Sequence, residues 1–278
     1  RDTTSGLGDW TVARDVYSDG LEPLISHVRS LGMDFGIWVE PETMNPDSDT
    51  FRAHPEWALV TEGYEAVHGR NQLVVDLART DAFDHVMNAL DSLLRNHDIA
   101  YVKWDMNRRH VQGSGSIGAA GSSAQTRAVY RLIDQLRALH PSVEIESCAG
   151  GGGRIDLEML RRVERVWTSD CNDALERQTI QQGASMLLPP EVMGAHIGPT
   201  RSHTTGRMHS LAFRGLTAMF GHLGVEWDLL TQTDEELTQL AEMIALHKRF
   251  RPLLHTGDSV RFDPVFTGPT IASHEYRA

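Results

Sequence analysis

Short runs of apolar and β-branched residues alternate with amphipathic stretches along the 278-residue chain, and this alternation is what most constrains the fold. Seven runs have the length and composition of strands: FGIWVEP (35–41), LVVDL (73–77), IAYVKWDM (99–106), VEIESCA (143–149), RVWTSD (165–170), ASMLLP (184–189) and LGVEWDL (223–229). Because parallel strands need long crossover connections, strands separated by helices predict βα units around a parallel sheet.

Three stretches between or after these runs have the pattern of helices, at 81–98, 124–140 and 234–250. The first opens with acids and repeats apolar residues at the spacing of one helix face: Phe83, Val86, Met87, Leu90 and Leu94. The second stops before Pro141, and the third runs from an acidic to a basic end, as the helix dipole favours.

Most of the strand runs end in a polar or reactive residue: Glu40 and Glu42, Asp76, Asp105, Cys148, Asp170 and Asp228. In a (β/α)8 barrel the carboxyl ends of the strands build one active site, whereas a doubly wound sheet gathers its ligand at one switch point. Because the polar ends are spread over many strands, the sequence predicts an α/β fold, a (β/α)8 TIM barrel.

The two ends of the chain shape the predicted domain organisation. Seven strand runs and a first residue that is not Met predict that the first barrel strand precedes Arg1. Near the other end the chain reads VRFDPVF, followed by Gly268, Pro269 and a weak strand-like tail. We therefore expect residues 1–254 to form the catalytic barrel, N-terminally truncated, and residues 255–278 to begin a C-terminal β segment.

Composition narrows the classes of ligand and partner. The formal net charge of −12 argues against nucleic acid, and the chain has no apolar run of about 18 residues to span a bilayer. The two cysteines form no CxxC pair, and the histidines show no metal-binding spacing such as HExxH. AGGGGR lacks the spacing of a nucleotide loop. From these observations together we expect no cofactor, no metal, no nucleic acid and no membrane.

Asp105 and Asp170 each close an apolar run, YVKW and RVWTS. In a barrel such residues can point into one mouth, and two carboxylates in one pocket suit glycoside hydrolysis. One would attack or activate water while the other protonates the leaving oxygen. The competing interpretation pairs each acid with a local base, Lys103 or Arg108 for Asp105 and Arg177 for Asp170, and these residues alone leave both interpretations open.

Three tryptophans, Trp38, Trp104 and Trp167, lie on three of the strand runs. Aromatic rings combine a large apolar face with a polar N–H, so beside strand-end acids Trp38 and Trp104 favour a sugar site, while Trp167 favours core packing. The glycines of ESCAGGGGR let a ligand approach the backbone, although a plain hinge explains them equally well.

Several longer stretches resemble a known family. They are GLGDW (6–10), GIWVEPETMNPDSDTFRAHPEW (36–57), YVKWDMNR (101–108), ESCAGGGGRIDLEML (146–160), VWTSDCNDALERQTIQQG (166–183) and MGAHIGPTRSHTTGR (193–207). In this order they look like the catalytic barrel of bacterial α-galactosidases of glycoside hydrolase family 36. KWDMNR and the CxxGxxR pattern of Cys148, Gly151 and Arg154 are the most specific parts.

The resemblance implies a role for each matching residue. Asp105, the Asp of KWDMN, would be the nucleophile, and Asp170, the first Asp of WTSDxxD, would be the general acid/base. Sugar contacts are implied for the remaining positions: Trp38, Arg70, Lys103, Trp104, Asn107, Cys148 and Gly151, the last two near the 2-hydroxyl. The implied enzyme is a retaining, exo-acting α-galactosidase that removes terminal α-linked galactose from oligosaccharides such as melibiose and raffinose by double displacement.

Departures from the family pattern keep alternatives open. The Asp-Asp pair that grips O4 and O6 of galactose belongs before Arg1, as does the N-terminal β-sandwich. Cys171 and Asn172 stand where Asn-Thr or similar is usual, and we expect this change to tune the aglycone side. The alternatives are an α-N-acetylgalactosaminidase, a galactosyl-transferring enzyme like raffinose synthase, and a truncated, non-catalytic carbohydrate-binding fragment. For the parent protein we expect a cytoplasmic location and a homo-oligomer.

Overall fold

The computed structural model describes residues 4–261 and 274–277, which fall into two compact units, Arg1–Glu164 and Arg165–Ala278. The helices of the first unit are α1 (Glu22–Ser30), α2 (Asp49–Ala53), α3 (Thr80–Asn96), α4 (Gly121–Leu139) and α5 (Leu157–Leu160), with 3-10 helices at Pro55–Trp57 and Gly115–Ala120. Its strands are β1 (Gly36–Val39), β2 (Thr43–Met44), β3 (Leu73–Val74), β4 (Tyr101–Trp104) and β5 (Glu144–Ser147).

Strands β1, β4 and β5 form a parallel sheet in which β4 is central. Trp38 pairs with Lys103, which pairs with Glu146 on its other side, so these three residues form one row across the sheet. Asp105 and Cys148 follow directly after β4 and β5. Together with Glu40, which follows β1, they therefore leave the sheet at its carboxyl edge, as the parallel arrangement requires.

The predicted helices at 81–98 and 124–140 are confirmed as α3 and α4. The buried residues of α3 include every member of the predicted apolar face: Phe83, Val86, Met87, Leu90 and Leu94. Helix α4 ends at Leu139, two residues before Pro141, because the residue before a proline disfavours helical geometry.

The prediction of a parallel strand at LVVDL (73–77) is wrong. Only Leu73–Val74 is a strand, β3, and it pairs antiparallel with β2. The segment is nonetheless buried on both sides, since Leu73, Val75 and Leu77 are each at most 3% exposed and the alternating Val74 and Asp76 are 6% and 2% exposed. The apolar content of this run does not encode the direction of pairing, which depends here on the short β2 that follows β1.

The second unit has helices α6 (Ala174–Ala184), α7 (Leu211–Ala218) and α8 (Asp234–Thr256), and 3-10 helices at Pro190–Val192 and Leu229–Thr231. Strands β6 (Arg165–Trp167), β7 (Met193–Ile197) and β8 (His222–Val225) pair in parallel in that order. The predicted helix at 234–250 is confirmed as part of α8. A hairpin of β9 (Asp258–Arg261) and β10 (His274–Arg277) is antiparallel.

The prediction of a strand at ASMLLP (184–189) is also wrong. Helix α6 continues to Ala184, and the strand of this region is MGAHI, nine residues further on. Met186 and Leu187 are 70% and 85% exposed, whereas Ile197 of the true strand is fully buried. Apolar content alone favoured the exposed run, because Gly194 and His196 dilute the apolar character of β7.

The parallel βα arrangement predicted from the alternation is confirmed in both units. The hairpin lies inside the predicted C-terminal β segment, and the division between residues 254 and 255 stays a prediction, since α8 continues to Thr256. Residues 262–273 of that segment lie outside the described residues. Within the described ranges, no helix is long and apolar enough to cross a membrane.

Candidate active site

Asp105 lies immediately after β4, where the backbone is still tied to the neighbouring strand. Its N–H donates to the carbonyl of Val39 at 2.8 Å, and the residue is 7% exposed. Oδ2 accepts hydrogen bonds from Trp38 Nε1 at 3.1 Å and Asn107 Nδ2 at 2.7 Å, and Oδ1 accepts the N–H of Met106 at 2.8 Å. These three donors hold the carboxylate in one orientation.

The pKa of Asp105 lies below its ordinary value. Burial acts to raise this pKa, but the hydrogen bonds from Asn107, Cys148 and Trp38, together with the Met106 N–H, outweigh burial because they favour the charged form. Asp105 is therefore ionised, which is the state that a nucleophilic carboxylate needs.

The side-chain amide of Asn107 is oriented by charged neighbours. Arg70 Nη1 donates to its Oδ1 at 2.8 Å, and Glu40 Oε2 accepts from its Nδ2 at 3.2 Å. Glu40 also accepts the backbone N–H of Asn107 on Oε1 at 2.7 Å, and Gln72 Nε2 donates to Oε2 at 3.2 Å. With Oδ1 and one amide hydrogen engaged, the other amide hydrogen is directed at Asp105.

Glu40 is a second buried carboxylate beside the first, and it is 1% exposed. Burial raises its pKa, the hydrogen bonds from Asn107 and Gln72 oppose this, and the charge of Asp105 raises it further. Its position at the end of a strand run was visible in the sequence, but its role was not, because its partner Asn107 is 67 residues away along the chain.

Arg70 reaches Asn107 from the tip of a tight turn. Gly69 and Gln72 exchange backbone hydrogen bonds across the turn, and Arg70 and Asn71 have φ values of 54° and 56°. Positive φ at two central residues is the geometry of a type I′ turn, which is costly for arginine. This turn presents an exposed guanidinium at a fixed place.

Lys103 shares an ion pair with a buried acid of the next strand. Its Nζ lies 2.9 Å from Glu146 Oε1, and the hydroxyl of Tyr101 donates to Glu146 Oε2. Glu146 has a side chain only 4% exposed, against 25% for Lys103. Glu146 is a residue that the sequence interpretation passed over, and it holds the ammonium group of the predicted sugar-binding lysine.

Trp104 and Arg154 meet on one carboxylate. The indole N–H of Trp104 donates to Glu42 Oε1 at 2.8 Å, and Arg154 Nη1 donates to the same oxygen at 2.7 Å. Trp104 and Glu42 are each 1% exposed. The two most specific sequence motifs are thus joined through Glu42, and the sugar contact of Trp104 stays a prediction.

Cys148 is buried next to Asp105. Burial and the neighbouring charge of Asp105 raise the pKa of its thiol to about 12, against the backbone hydrogen bond from Gly151, so the thiol stays protonated. Gly151 has φ of 81°, a left-handed conformation that side chains with a Cβ rarely adopt. The glycine-rich segment therefore forms a specific turn beside Asp105 rather than a plain hinge.

Asp170 belongs to the second unit, where it follows β6 and is exposed. Its Oδ1 accepts the N–H of Trp167 at 3.2 Å, while Trp167 itself is 3% exposed, as expected of a core residue. Asp173, the second acid of SDxxD, is fully buried and accepts the N–H of Leu175 and the hydroxyl of Thr205. An exposed Asp170 and a buried, structural Asp173 suit the expected assignment of the proton carrier.

The structure thus gathers Trp38, Arg70, Asn107 and Cys148 around Asp105 in the first unit. Among the described residues, no group of three or more His, Cys, Asp or Glu side chains is arranged to hold a metal ion.

The profile of the melibiase family matches residues 1–257 of this chain. The chain is 54% identical over 262 residues to an α-galactosidase from Escherichia coli, covering 94% of this chain and 37% of that protein. It is 40% identical over 272 residues to a bifunctional α-galactosidase/sucrose kinase from Mediterraneibacter gnavus, covering 98% of this chain and 29% of that one. The chain therefore spans between 29% and 37% of the length of these two relatives.

The fold has close counterparts among solved structures. A variant of the family 36 α-galactosidase AgaA from Geobacillus stearothermophilus, in complex with raffinose, superposes with a TM-score of 0.93 at 37% sequence identity over 96% of this chain and 38% of the other. Because the family profile covers nearly the whole sequence and the structural match covers the same extent, the chain belongs to the melibiase family, glycoside hydrolase family 36.

Proposed function

We propose that this chain is the catalytic part of a retaining, exo-acting α-galactosidase that removes terminal α-linked galactose from oligosaccharides such as melibiose and raffinose. The observation that carries the proposal is the carboxylate of Asp105, which is 7% exposed, oriented by Trp38 and Asn107, and ionised. A relative solved in complex with raffinose supports the substrate class.

In the first step, Asp105 attacks the anomeric carbon and the bond to the leaving oxygen breaks, while Asp170 gives that oxygen its proton. In the second step, Asp170 takes a proton from water, whose oxygen displaces Asp105 from the sugar. Each displacement inverts the anomeric centre, so the released galactose keeps the α configuration. The exposure of Asp170 suits a group that must meet both a leaving group and water.

The polar groups around Asp105 are suited to hold sugar hydroxyls. Lys103 and Arg70 offer cationic donors, and Trp38, 37% exposed, offers an apolar face on which a pyranose ring can stack. Cys148, kept protonated, and the Gly151 backbone lie beside the nucleophile, where the 2-hydroxyl is expected.

The configuration of the first product tests the mechanism. Proton NMR during hydrolysis of a nitrophenyl α-galactoside by the protein in its full natural length should show α-galactose first and the β anomer only as mutarotation proceeds. Early β-galactose would contradict double displacement, and no hydrolysis would contradict the proposed activity.

A panel of substrates distinguishes α-galactosidase activity from the two related activities, α-N-acetylgalactosaminidase and galactosyl transfer. We expect turnover of nitrophenyl α-galactoside, melibiose and raffinose, and little turnover of nitrophenyl α-N-acetylgalactosaminide. Preference for the acetamido sugar would assign an α-N-acetylgalactosaminidase. Transfer of galactose to an added acceptor in place of hydrolysis would assign a galactosyl-transferring enzyme.

A cytoplasmic location and a homo-oligomeric parent protein belong to the same proposal. Fractionation of cells that produce the protein, followed by light scattering of the purified material, tests both. Recovery of the protein outside the cytoplasm would contradict the proposed location, and the mass of a monomer in solution would contradict the proposed homo-oligomer.

A further inference from the structure

Arg177 lies in the first turn of α6, shortly after Asp170, and is 2% exposed, which is rare for a guanidinium group. We propose that Arg177 is the positioning residue of Asp170: it fixes the loop that carries the acid/base, and substitution impairs proton delivery to the leaving group. This inference rests on the function proposed above.

The guanidinium binds the backbone on both sides of the acid. Its Nη2 donates to the carbonyl of Ser169 at 2.6 Å, and its Nε donates to the carbonyl of Cys171 at 2.8 Å. Its Nη1 donates to Thr168 Oγ1 at 2.7 Å. One rigid group therefore fixes Ser169 and Cys171, the two neighbours of Asp170, and also Thr168.

The same guanidinium also supports the ring that contacts the acid. The Cζ atom of Arg177 lies 4.2 Å from the centre of the Trp167 ring, within the range of a cation–π contact. Trp167 in turn donates its indole N–H to Asp170 Oδ1 at 3.2 Å. Arg177 thus restrains both the backbone of Asp170 and the donor to its carboxylate.

The start of α6 holds Arg177 in place. The backbone N–H of Arg177 donates to the carbonyl of Asp173 at 2.9 Å. Asp173 caps the helix by accepting the N–H groups of Leu175 at 2.8 Å and Glu176 at 3.3 Å on Oδ1. The loop from Thr168 to Asp173 is therefore closed at its far end by a helix cap and across its middle by the Arg177 side chain.

Lysine cannot replace this arrangement. A guanidinium presents its donors in a planar fork and stacks on an aromatic face, whereas an ammonium group is a single point on a flexible stem. Arg177→Lys keeps the charge but loses the simultaneous contacts to Ser169, Cys171 and Thr168, so the loop gains freedom while the carboxyl group of Asp170 remains present.

The test compares a poor with a good leaving group in the full-length enzyme. Raffinose needs its leaving oxygen protonated, whereas dinitrophenolate departs with little help. For Arg177→Lys we expect kcat/KM on raffinose to fall by about 10- to 100-fold and kcat/KM on dinitrophenyl α-galactoside by less than about threefold. Wild-type turnover of both substrates is measured in parallel, so the proposed function is judged separately.

Arg214 provides a matched control in the same unit. It is 5% exposed, donates to the Gly198 carbonyl and, at 3.1 Å, to Thr200 Oγ1, and its Cζ lies 4.5 Å from the centre of the Trp227 ring. Arg214→Lys should lower the melting temperature about as much as Arg177→Lys. We expect it to leave the ratio of the two kcat/KM values unchanged.

A second variant covers the case in which Arg177→Lys does not fold. Thr168→Val removes only the hydroxyl that accepts from Nη1 and leaves the guanidinium in place, so the substrate ratio should shift in the same direction by a smaller factor. Equal losses on the two substrates in the folded variants would overturn the positioning role, because they would indicate general destabilisation.

Discussion

The regions around the two proposed catalytic carboxylates are built in opposite ways. In the first unit, Asp105 receives Trp38 from a strand 67 positions earlier in the chain, and the same separation divides Glu40 from Asn107. In the second unit, Asp170 is three positions from Trp167, and Arg177 is nine from Thr168. The proposed nucleophile is thus set by tertiary packing, and the proposed acid/base by one loop and the helix that follows it.

The difference fits the tasks of the two groups. A nucleophile must be ionised and fixed, and the packed surroundings of Asp105 lower its pKa through several hydrogen bonds that outweigh burial. A proton carrier must reach solvent, and Asp170 is exposed. Substitutions in the first region should therefore alter the ionisation and placement of the nucleophile, whereas substitutions in the second should alter proton delivery.

The largest expected effects come from removing each carboxylate. Asp105→Ala should lower kcat by about 10⁴-fold or more on every substrate, because no group remains to form the intermediate. Asp170→Ala should lower kcat/KM on raffinose by about 10²- to 10⁴-fold but spare dinitrophenyl α-galactoside in the first step. If Asp170→Ala, like Asp105→Ala, lost as much activity on dinitrophenyl α-galactoside as on raffinose, the two regions would not differ in function.

Asn107→Ala tests how the nucleophile is kept ionised. The hydrogen bond from Asn107 is the strongest influence that lowers the Asp105 pKa against burial, so its loss raises that pKa. Because Asp105 must be ionised to react, the acid limb of kcat/KM should move to higher pH. Asn96→Ala, which removes an exposed amide bonded to Ser92, is the control and should leave the limb in place. An unmoved limb in Asn107→Ala would contradict the account of the first region.

Glu40→Gln tests the orientation of the amide itself. A glutamine can place an NH2 group where Glu40 Oε2 now accepts from Asn107 and Gln72, so Asn107 loses the acceptor that directs its other hydrogen at Asp105. We expect kcat/KM to fall by about tenfold on raffinose and on dinitrophenyl α-galactoside alike. A loss confined to raffinose would assign Glu40 to proton delivery and would contradict its assignment to the surroundings of the nucleophile.

The smallest expected effect is on stability in the second region. Asp173→Ala removes the cap of α6 together with its bond to Thr205, and should lower the free energy of unfolding by about 1–2 kcal/mol in urea titrations. Asp156→Ala removes a cap from the short α5 and should cost less, because Asp156 caps with a single bond to Met159. Equal costs would mean that the further bonds of Asp173, to Glu176, Thr205 and His209, contribute nothing.

Features that depend on neighbouring residues could be predicted from the sequence, whereas contacts between distant segments could not. The helix α3 and the place of Asp170 at the end of an apolar run are local features, and the apolar pattern of the sequence predicted them. LVVDL and ASMLLP misled because apolar content does not encode pairing direction or solvent exposure. The positions of Glu40 and Glu42 at a strand end were evident, but their partners Asn107 and Arg154 come from distant segments that only folding brings near.

Arg177 is the exception among local features. Its proximity to Asp170 along the chain was plain, and the sequence offered a direct pairing with the acid as one interpretation. The structure shows its guanidinium on the carbonyls of Ser169 and Cys171 and on the Thr168 hydroxyl. Backbone acceptors carry no signature in a sequence, so this arrangement could not be read from residue types.

The most direct test of the two assignments is the configuration of the azide adduct formed by each alanine variant from an activated aryl α-galactoside. In Asp105→Ala, azide takes the place of the nucleophile and a single displacement should give β-galactosyl azide. In Asp170→Ala, azide attacks the galactosyl-enzyme and should give the α-azide. Detection of the α-azide from Asp105→Ala, or of the β-azide from Asp170→Ala, would contradict the roles given to the two carboxylates.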